Sequence, residues 1–200
     1  MIRELTEADF PTAAALAAAA FREDPGFAHI LPGDALRRHR LPSLFEAILR
    51  VDATGGGRVS GAFEDGALVG VSSLMPAGVK NPGIRSWFKR LPGLSWLALE
   101  PAALLRALSL IHAIEARRMN SSAYLHLLAA HPATRGRGVG AALLNAAIKT
   151  SGGSLYLETF SRENITWYEQ RGFRFLMEVN SPVRPTFWTL RHGAGSKDLR

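Results

Sequence analysis

Hydrophobic and polar positions along this 200-residue chain switch between two rhythms, and the switches mark out its elements. Ile2 to Leu5 reads as a short strand. Thr6 and Asp9 follow in capping-box spacing with Pro11 in the opening turn, so the Ala-rich run to Phe21 is expected to be a helix. Asp24-Pro25-Gly26 breaks that helix. Helical spacing resumes from Leu36 to Val51, with Leu36, Leu41, Leu44, Phe45 and Ile48 as core positions, and Gly55-Gly56-Gly57 closes the unit. Two apolar, Val-containing runs come next, Arg58 to Phe63 and Ala67 to Met75. They join through Glu64-Asp65-Gly66, where Asp-Gly signals a hairpin.

From Pro76 to Asn120 the pattern is helical but punctuated by Asn81-Pro82-Gly83, Pro92-Gly93 and Glu100-Pro101, which predicts helices inserted between the third and fourth strands. Tyr124 to Ala130 is almost continuously apolar, as in a strand buried on both faces. Gly138 to Thr150 is predicted helical, its apolar face formed by Val139, Leu143, Leu144, Ala147 and Ile148. Leu155 to Thr159 reads as a strand and Glu163 to Arg171 as a helix, with Phe173 to Val179 and Thr186 to Arg191 the last two strands. No internal repeat or long linker divides the pattern. One α/β domain over residues 1–192 is expected, with 193–200 a frayed polar tail.

Composition narrows the chemistry. With no cysteine there is no disulfide, no thiolate nucleophile and no Cys-based metal site. The histidines, at 29, 39, 112, 126, 131 and 192, show no i,i+4 ligand pair, so no metal site is expected. A hydrophobic fraction of 47% with 20% charged residues is that of a globular chain. Two segments resemble membrane or export signals. Glu4, Glu7 and Asp9 give the wrong charge ahead of the apolar run Ala13 to Phe21, and Glu100, Pro101, Arg106 and His112 interrupt Leu94 to Ile114. A cytoplasmic protein without a membrane partner is expected, either monomer or homodimer.

The net charge of +7, with pI near 10.5, calls for an anionic partner. Basic residues form no run beyond pairs such as Arg37-Arg38 and Arg117-Arg118, and no aromatic RNA-binding signature is present, so nucleic acid is not the expected partner. A phosphorylated small molecule fits better. Residues 1–65 hold 7 basic and 10 acidic side chains, whereas residues 66–200 hold 17 and 7.

That basic part contains Arg135-Gly136-Arg137-Gly138-Val139-Gly140, between a buried strand and a helix. Alternating glycines let a ligand approach the backbone, and the following helix offers unsatisfied N–H groups, so the loop reads as a cradle for a diphosphate. Ala141-Ala142 after Gly140 excludes the nucleoside-triphosphate loop that ends in Gly-Lys-Ser/Thr. A dinucleotide fold remains an alternative, since Gly136-x-Gly138-x-x-Ala141 and Glu158 satisfy its relaxed fingerprint. Against it, five residues separate strand from glycine and only 42 follow Glu158.

The run Leu125 to Gly140, with Arg135, Gly138 and Gly140 in the fixed positions of Q/R-x-x-G-x-G/A, resembles the acetyl-CoA motif of the GNAT superfamily of N-acetyltransferases. Asn164 followed by Tyr168-Glu169-Gln170-Arg171-Gly172-Phe173 resembles its second signature, in the right order and spacing. The N-terminal stretch and the helical insertion are similar to the group containing puromycin N-acetyltransferase. The resemblance implies a GNAT fold, with a mixed, mostly antiparallel seven-stranded sheet flanked by helices. It implies acetyl-CoA as cosubstrate, held in a gap between Leu127 to Ala130 and Leu155 to Glu158. It implies cofactor contacts from Leu128, Ala129, Ala130, Arg135, Gly136, Arg137, Gly138, Val139, Gly140 and Asn164, and direct attack by a primary amine of a small molecule.

Tyr168 is then the candidate general acid for the departing thiolate, because an ordinary phenol and an alkyl thiol are of comparable acidity. For the base, Glu158, His126 and His131 are the ionisable residues nearest the gap, with Glu158 ranked first and a water chain as the alternative. Strand alternation predicts that His126 and Leu128 share one face while Leu127 and Ala129 share the other. Glu23 and Asp24 are candidates to grip a cationic acceptor, and Phe27, Trp87 and Trp188 to wall its pocket.

Overall fold

The computed structural model describes residues 1–79, 96 and 100–193. Trp87 and the tail beyond residue 193 lie outside them. Along the chain the elements run β1 (Ile2–Glu4), α1 (Phe10–Ala20), α2 (Pro25–Ile30), α3 (Asp34–Thr54), β2 (Arg58–Glu64), β3 (Ala67–Met75), α4 (Pro101–Glu115), β4 (Ala123–Ala130), α5 (Val139–Thr150), β5 (Leu155–Thr159), α6 (Glu163–Glu169), β6 (Phe173–Val179) and β7 (Phe187–His192). The strands form one seven-stranded sheet in the order β1-β2-β3-β4-β5-β7-β6. Among the described residues only the β4–β5 pair is parallel. A doubly wound dinucleotide fold needs a mostly parallel sheet, so this topology overturns that alternative.

Local chemistry explains the elements. Asp65 and Gly66, at φ 48° and 80°, supply the two left-handed residues that a tight hairpin turn demands between β2 and β3. Asp24-Pro25-Gly26, expected only as a break, also starts a helix. The Asp24 carboxylate accepts from the amides of Gly26 (2.9 Å) and Phe27 (3.3 Å), and Pro25 sits in the first turn, where a missing N–H does no harm.

Helices α1, α3 and α4 pack on one face of the sheet through Leu16, Phe45, Leu49, Leu110, Val71, Leu127 and Ala129. Helices α5 and α6 pack on the other through Leu144, Ala147, Tyr168, Leu125, Leu157 and Leu190. Each fully buried leucine contributes about 1.5–3 kcal/mol, so both faces hold the sheet strongly. No helix among the described residues is long and apolar enough to cross a membrane.

Two irregularities shape the middle of the sheet. Ser73 pairs with Leu127 but Leu74 pairs with Leu125, which leaves His126 as an extra residue on β4. The β4–β5 pairing is confined to Ala123↔Leu155 and Tyr124↔Tyr156. Beyond those pairs the two strands separate, and a wedge opens between 125–130 and 157–159.

Candidate active site

The wedge starts two residues later on β5 than the sequence suggests, since Leu155 and Tyr156 are still paired to β4. At its far end a short 3-10 turn, Pro132–Thr134, leads from β4 into the glycine loop. His131 caps this turn by accepting the Ala133 amide at its Nδ1, 3.2 Å away. Gly136 and Gly138 both lie in the left-handed region, at φ 80° and 81°, and a Cβ on either would meet nothing within 4 Å. Gly138 is the N-cap of α5, and among the described residues no side-chain cap satisfies the first amides of that helix. The geometry is that of an open nest of N–H donors at a helix dipole's positive end, which fits a diphosphate.

The two loop arginines differ. Arg137 is paired with Glu64 of the β2–β3 hairpin at 2.6 Å, whereas Arg135 has no ion pair among the described residues. Arg135 is therefore the better placed to meet a phosphate. Along the strand, Leu128 and Ala130 pack against Val139 and Leu143 at the root of α5, and Ala129 is buried on the opposite face. A Cβ on Gly140 would lie 3.9 Å from the Trp167 ring, so α6 stands beside the loop. Next to Trp167 on α6, Tyr168 packs edge-on to that ring and tilted against Phe173. Its hydroxyl has no hydrogen-bond partner among the described residues. Burial, and secondarily the Glu158 charge, raises the Tyr168 phenol above its ordinary value. The match to a thiol is thus poorer than for a free phenol, and the group stays protonated and able to donate. Asn164, expected to contact the cofactor, donates its Nδ2 to the Thr159 hydroxyl (3.1 Å) and ties α6 to the end of β5.

The other face of the wedge carries a polar cluster. The Tyr124 hydroxyl donates to Glu158 Oε1, while Glu158 Oε2 is buried without a partner among the described residues. Burial pushes the Glu158 carboxyl up to about 7, against the lowering influence of Tyr124, His126 and Arg118. The Tyr124 ring stacks on His126 with centroids 5.2 Å apart, and the Arg118 guanidinium sits 4.5 Å from the same ring. His126 Nδ1 lies 2.9 and 3.0 Å from the two oxygens of Asp52, which also accepts from the Ser73 hydroxyl at 2.6 Å. The bulge brings this about and corrects the expected alternation. His126 joins Tyr124 on the α3 side with Leu127 and Ala129, while Leu128 packs toward α5.

Asp52, Ser73, Tyr124 and Arg118 were not among the sequence candidates. For Asp52 a signal exists: it continues the Leu41, Phe45, Ile48 stripe of α3 at helical spacing, and a carboxylate at a core position needs a partner. The expected acceptor grip is dispersed. Glu23 is exposed and 3.5 and 3.8 Å from Arg22 and Arg37, whereas the Asp24 carboxylate turns inward to cap α2. Burial raises Asp24 to about 6 despite those two amides. Phe27 packs in the core against Phe21 and Phe45, and Trp188 donates to Glu178 across the β6–β7 pair (3.0 Å).

Because the folded-state value of Glu158 lies above that of a free carboxyl, the folded chain holds this proton more tightly than the unfolded one. Stability then falls as pH rises from about 4.5 through 7. Glu158→Gln keeps an acceptor for Tyr124 and removes the titration, so its melting temperature should gain several degrees on wild type between pH 5 and pH 8. A difference that stays constant across that range would contradict a buried, titrating carboxyl.

Residues 96–175 match the family model described as the acetyltransferase (GNAT) domain. Among similar solved structures is a protein described as histone acetyltransferase HPA2 and related acetyltransferase from Corynebacterium glutamicum, 24% identical over 98% of each chain with a TM-score of 0.72. The PaiA N-acetyltransferase from Thermoplasma acidophilum, in complex with coenzyme A, is 16% identical over 97% of this chain and 98% of its own, with a TM-score of 0.57. A polyamine N-acetyltransferase from Drosophila melanogaster is 15% identical over 97% of this chain and 99% of its own, also at 0.57. The chain shares the fold of all three.

Proposed function

We propose that this chain, a GNAT acetyltransferase that takes its acetyl group from acetyl-CoA, passes that group to a primary amine of a small molecule by direct attack in a ternary complex. The observation that carries the reading is the wedge between β4 and β5, which has an anion cradle at one end and recessed proton acceptors on its α3 side. When bound, acetyl-CoA supplies an activated thioester carbonyl. The amides of Gly136 to Gly140, with Arg135, would hold its diphosphate, and the backbone of Leu128, Ala129 and Ala130 along the open edge of β4 would align its arm. A strand N–H there is suited to stabilise the oxyanion. The Tyr168 hydroxyl, protonated at neutral pH, is suited to donate to the sulfur as the C–S bond breaks. The chain has no cysteine to form a thioester of its own, in keeping with a single displacement.

The recessed position of Glu158 and His126 favours an acceptor whose amine ends a slender body, and the polyamine enzyme of similar fold acts on molecules of that kind. A panel of small primary amines, including polyamines and aminonucleosides, assayed beside lysine peptides by the release of free CoA thiol, tests the reading. Small amines should be turned over faster. Turnover confined to peptide lysines would remove the small-molecule acceptor and leave acetyl transfer in place.

A further inference from the structure

Two groups flank the wedge with the chemistry of a base, and accessibility separates them. Glu158 has one oxygen occupied by Tyr124 and the other buried, so neither is open to an incoming amine. The side chain of His126 is 25% exposed and, among the described residues, only its Nδ1 is engaged. With Nδ1 donating its hydrogen to the Asp52 carboxylate, the neutral ring carries its lone pair on Nε2. Asp52 is itself fixed, since it is 4% exposed and held by Ser73 from β3. The bulge turns His126 toward α3 just where β4 leaves β5, and so joins this pair to the wedge.

We infer that His126 is the general base of the transfer, accepting the amine proton at Nε2, and that Asp52 is the positioning residue that fixes its tautomer and orientation. The assignment rests on the acetyl-transfer reading above. The acceptor's N–H bond breaks as its proton passes to Nε2. The freed pair forms the C–N bond at the acetyl carbonyl, and the C–S pair departs on sulfur, where Tyr168 supplies a proton. The charges facing the imidazole agree with this role. Burial lowers its proton affinity, but Asp52 on α3 and Glu158 on β5 raise it, Arg118 beyond α4 lowers it slightly, and the net direction is upward from 6.5. A base of this kind is active above its own titration, so the acid limb of kcat/KM should lie above pH 6.5.

The test combines three variants. His126→Ala should lose about 100-fold or more in kcat/KM, bind acetyl-CoA as wild type does in calorimetry, and recover part of its activity when imidazole is added. Asp52→Asn should move the acid limb down by about 1 pH unit, because removing the carboxylate leaves burial to dominate. In the absence of acceptor, nitrogen NMR of labelled histidine should show the Nδ1–H tautomer in wild type and its loss in Asp52→Asn. For any variant that does not fold, the remaining arms decide. If His126→Ala turns over an amine at the wild-type rate, or wild type shows the Nε2–H tautomer, the base assignment is overturned while acetyl transfer stands. If wild type releases CoA with no amine at all, both fall together. Glu158→Gln serves as the comparison: it should lower the His126 titration yet retain more activity than His126→Ala.

Discussion

Gly138→Val should abolish acetyl-CoA binding without unfolding the protein. The residue sits at φ 81° as the N-cap of α5, and a Cβ there projects into open space. Steric penalty within the folded chain is therefore confined to the backbone, about 1–2 kcal/mol for a left-handed residue with a side chain. The branched side chain would instead occupy the volume a diphosphate needs to reach the amides of the nest. Strain and occlusion are separated by a control at the other end of the same helix. Gly152, at φ 71° and likewise without neighbours within 4 Å of a Cβ, lies just past the end of α5. Gly152→Val carries similar strain but stands about 18 Å from the cradle along a helix of 12 residues. Both variants should lose similar thermal stability. Only Gly138→Val should lose affinity in calorimetry, by at least about 100-fold. Equal affinity in the two variants would show that the glycine loop does not hold the cofactor.

Much of the fold is legible along the chain because its signals are local. The Asp-Gly turn, the closed apolar run of β4 and the amphipathic face of α5 each announce an element without help from elsewhere. The cradle is legible for the same reason, since a strand, a glycine loop and a helix start lie within 20 residues of sequence. The proton-handling side is not. Asp52 and His126 are 74 residues apart, and Tyr124 and Glu158 are 34 apart; only the sheet order brings them together. The bulge at His126 is equally hidden, because one extra residue reverses the alternation that a period of two predicts.

Charge shows the same limit. The excess of basic residues beyond 65 suits a phosphorylated ligand in sign, but many of these arginines serve the chain itself. Arg106 donates to the carbonyl of Ile30, Arg117 to Ala113, Arg118 to Val79, Arg171 to Trp167 and Arg184 to Ser109. Guanidinium groups at such carbonyls compensate acceptors left free at helix ends and turns. The surplus therefore does not demand a polyanionic partner.

Tyr168→Phe should lower kcat by about 100-fold while changing acetyl-CoA affinity by less than about threefold. Removal of one oxygen leaves the ring in place against Trp167 and Phe173, and the hydroxyl makes no hydrogen bond within the described residues that its loss would break. Stability should accordingly stay about the same, because the packing of the ring is untouched. The effect on turnover follows from what burial and Glu158 do to the phenol. Held above its ordinary value, it cannot act as a base near neutrality, but it can meet negative charge as it grows on sulfur. The loss should depend on the leaving thiol. A more acidic thiol needs less help, so the gap between Tyr168→Phe and wild type should narrow with an acetyl donor whose thiol has a lower pKa. A variant that turned over at the wild-type rate, or a gap independent of the leaving thiol, would take Tyr168 out of the proton path and leave the α6 aromatic pair as packing alone.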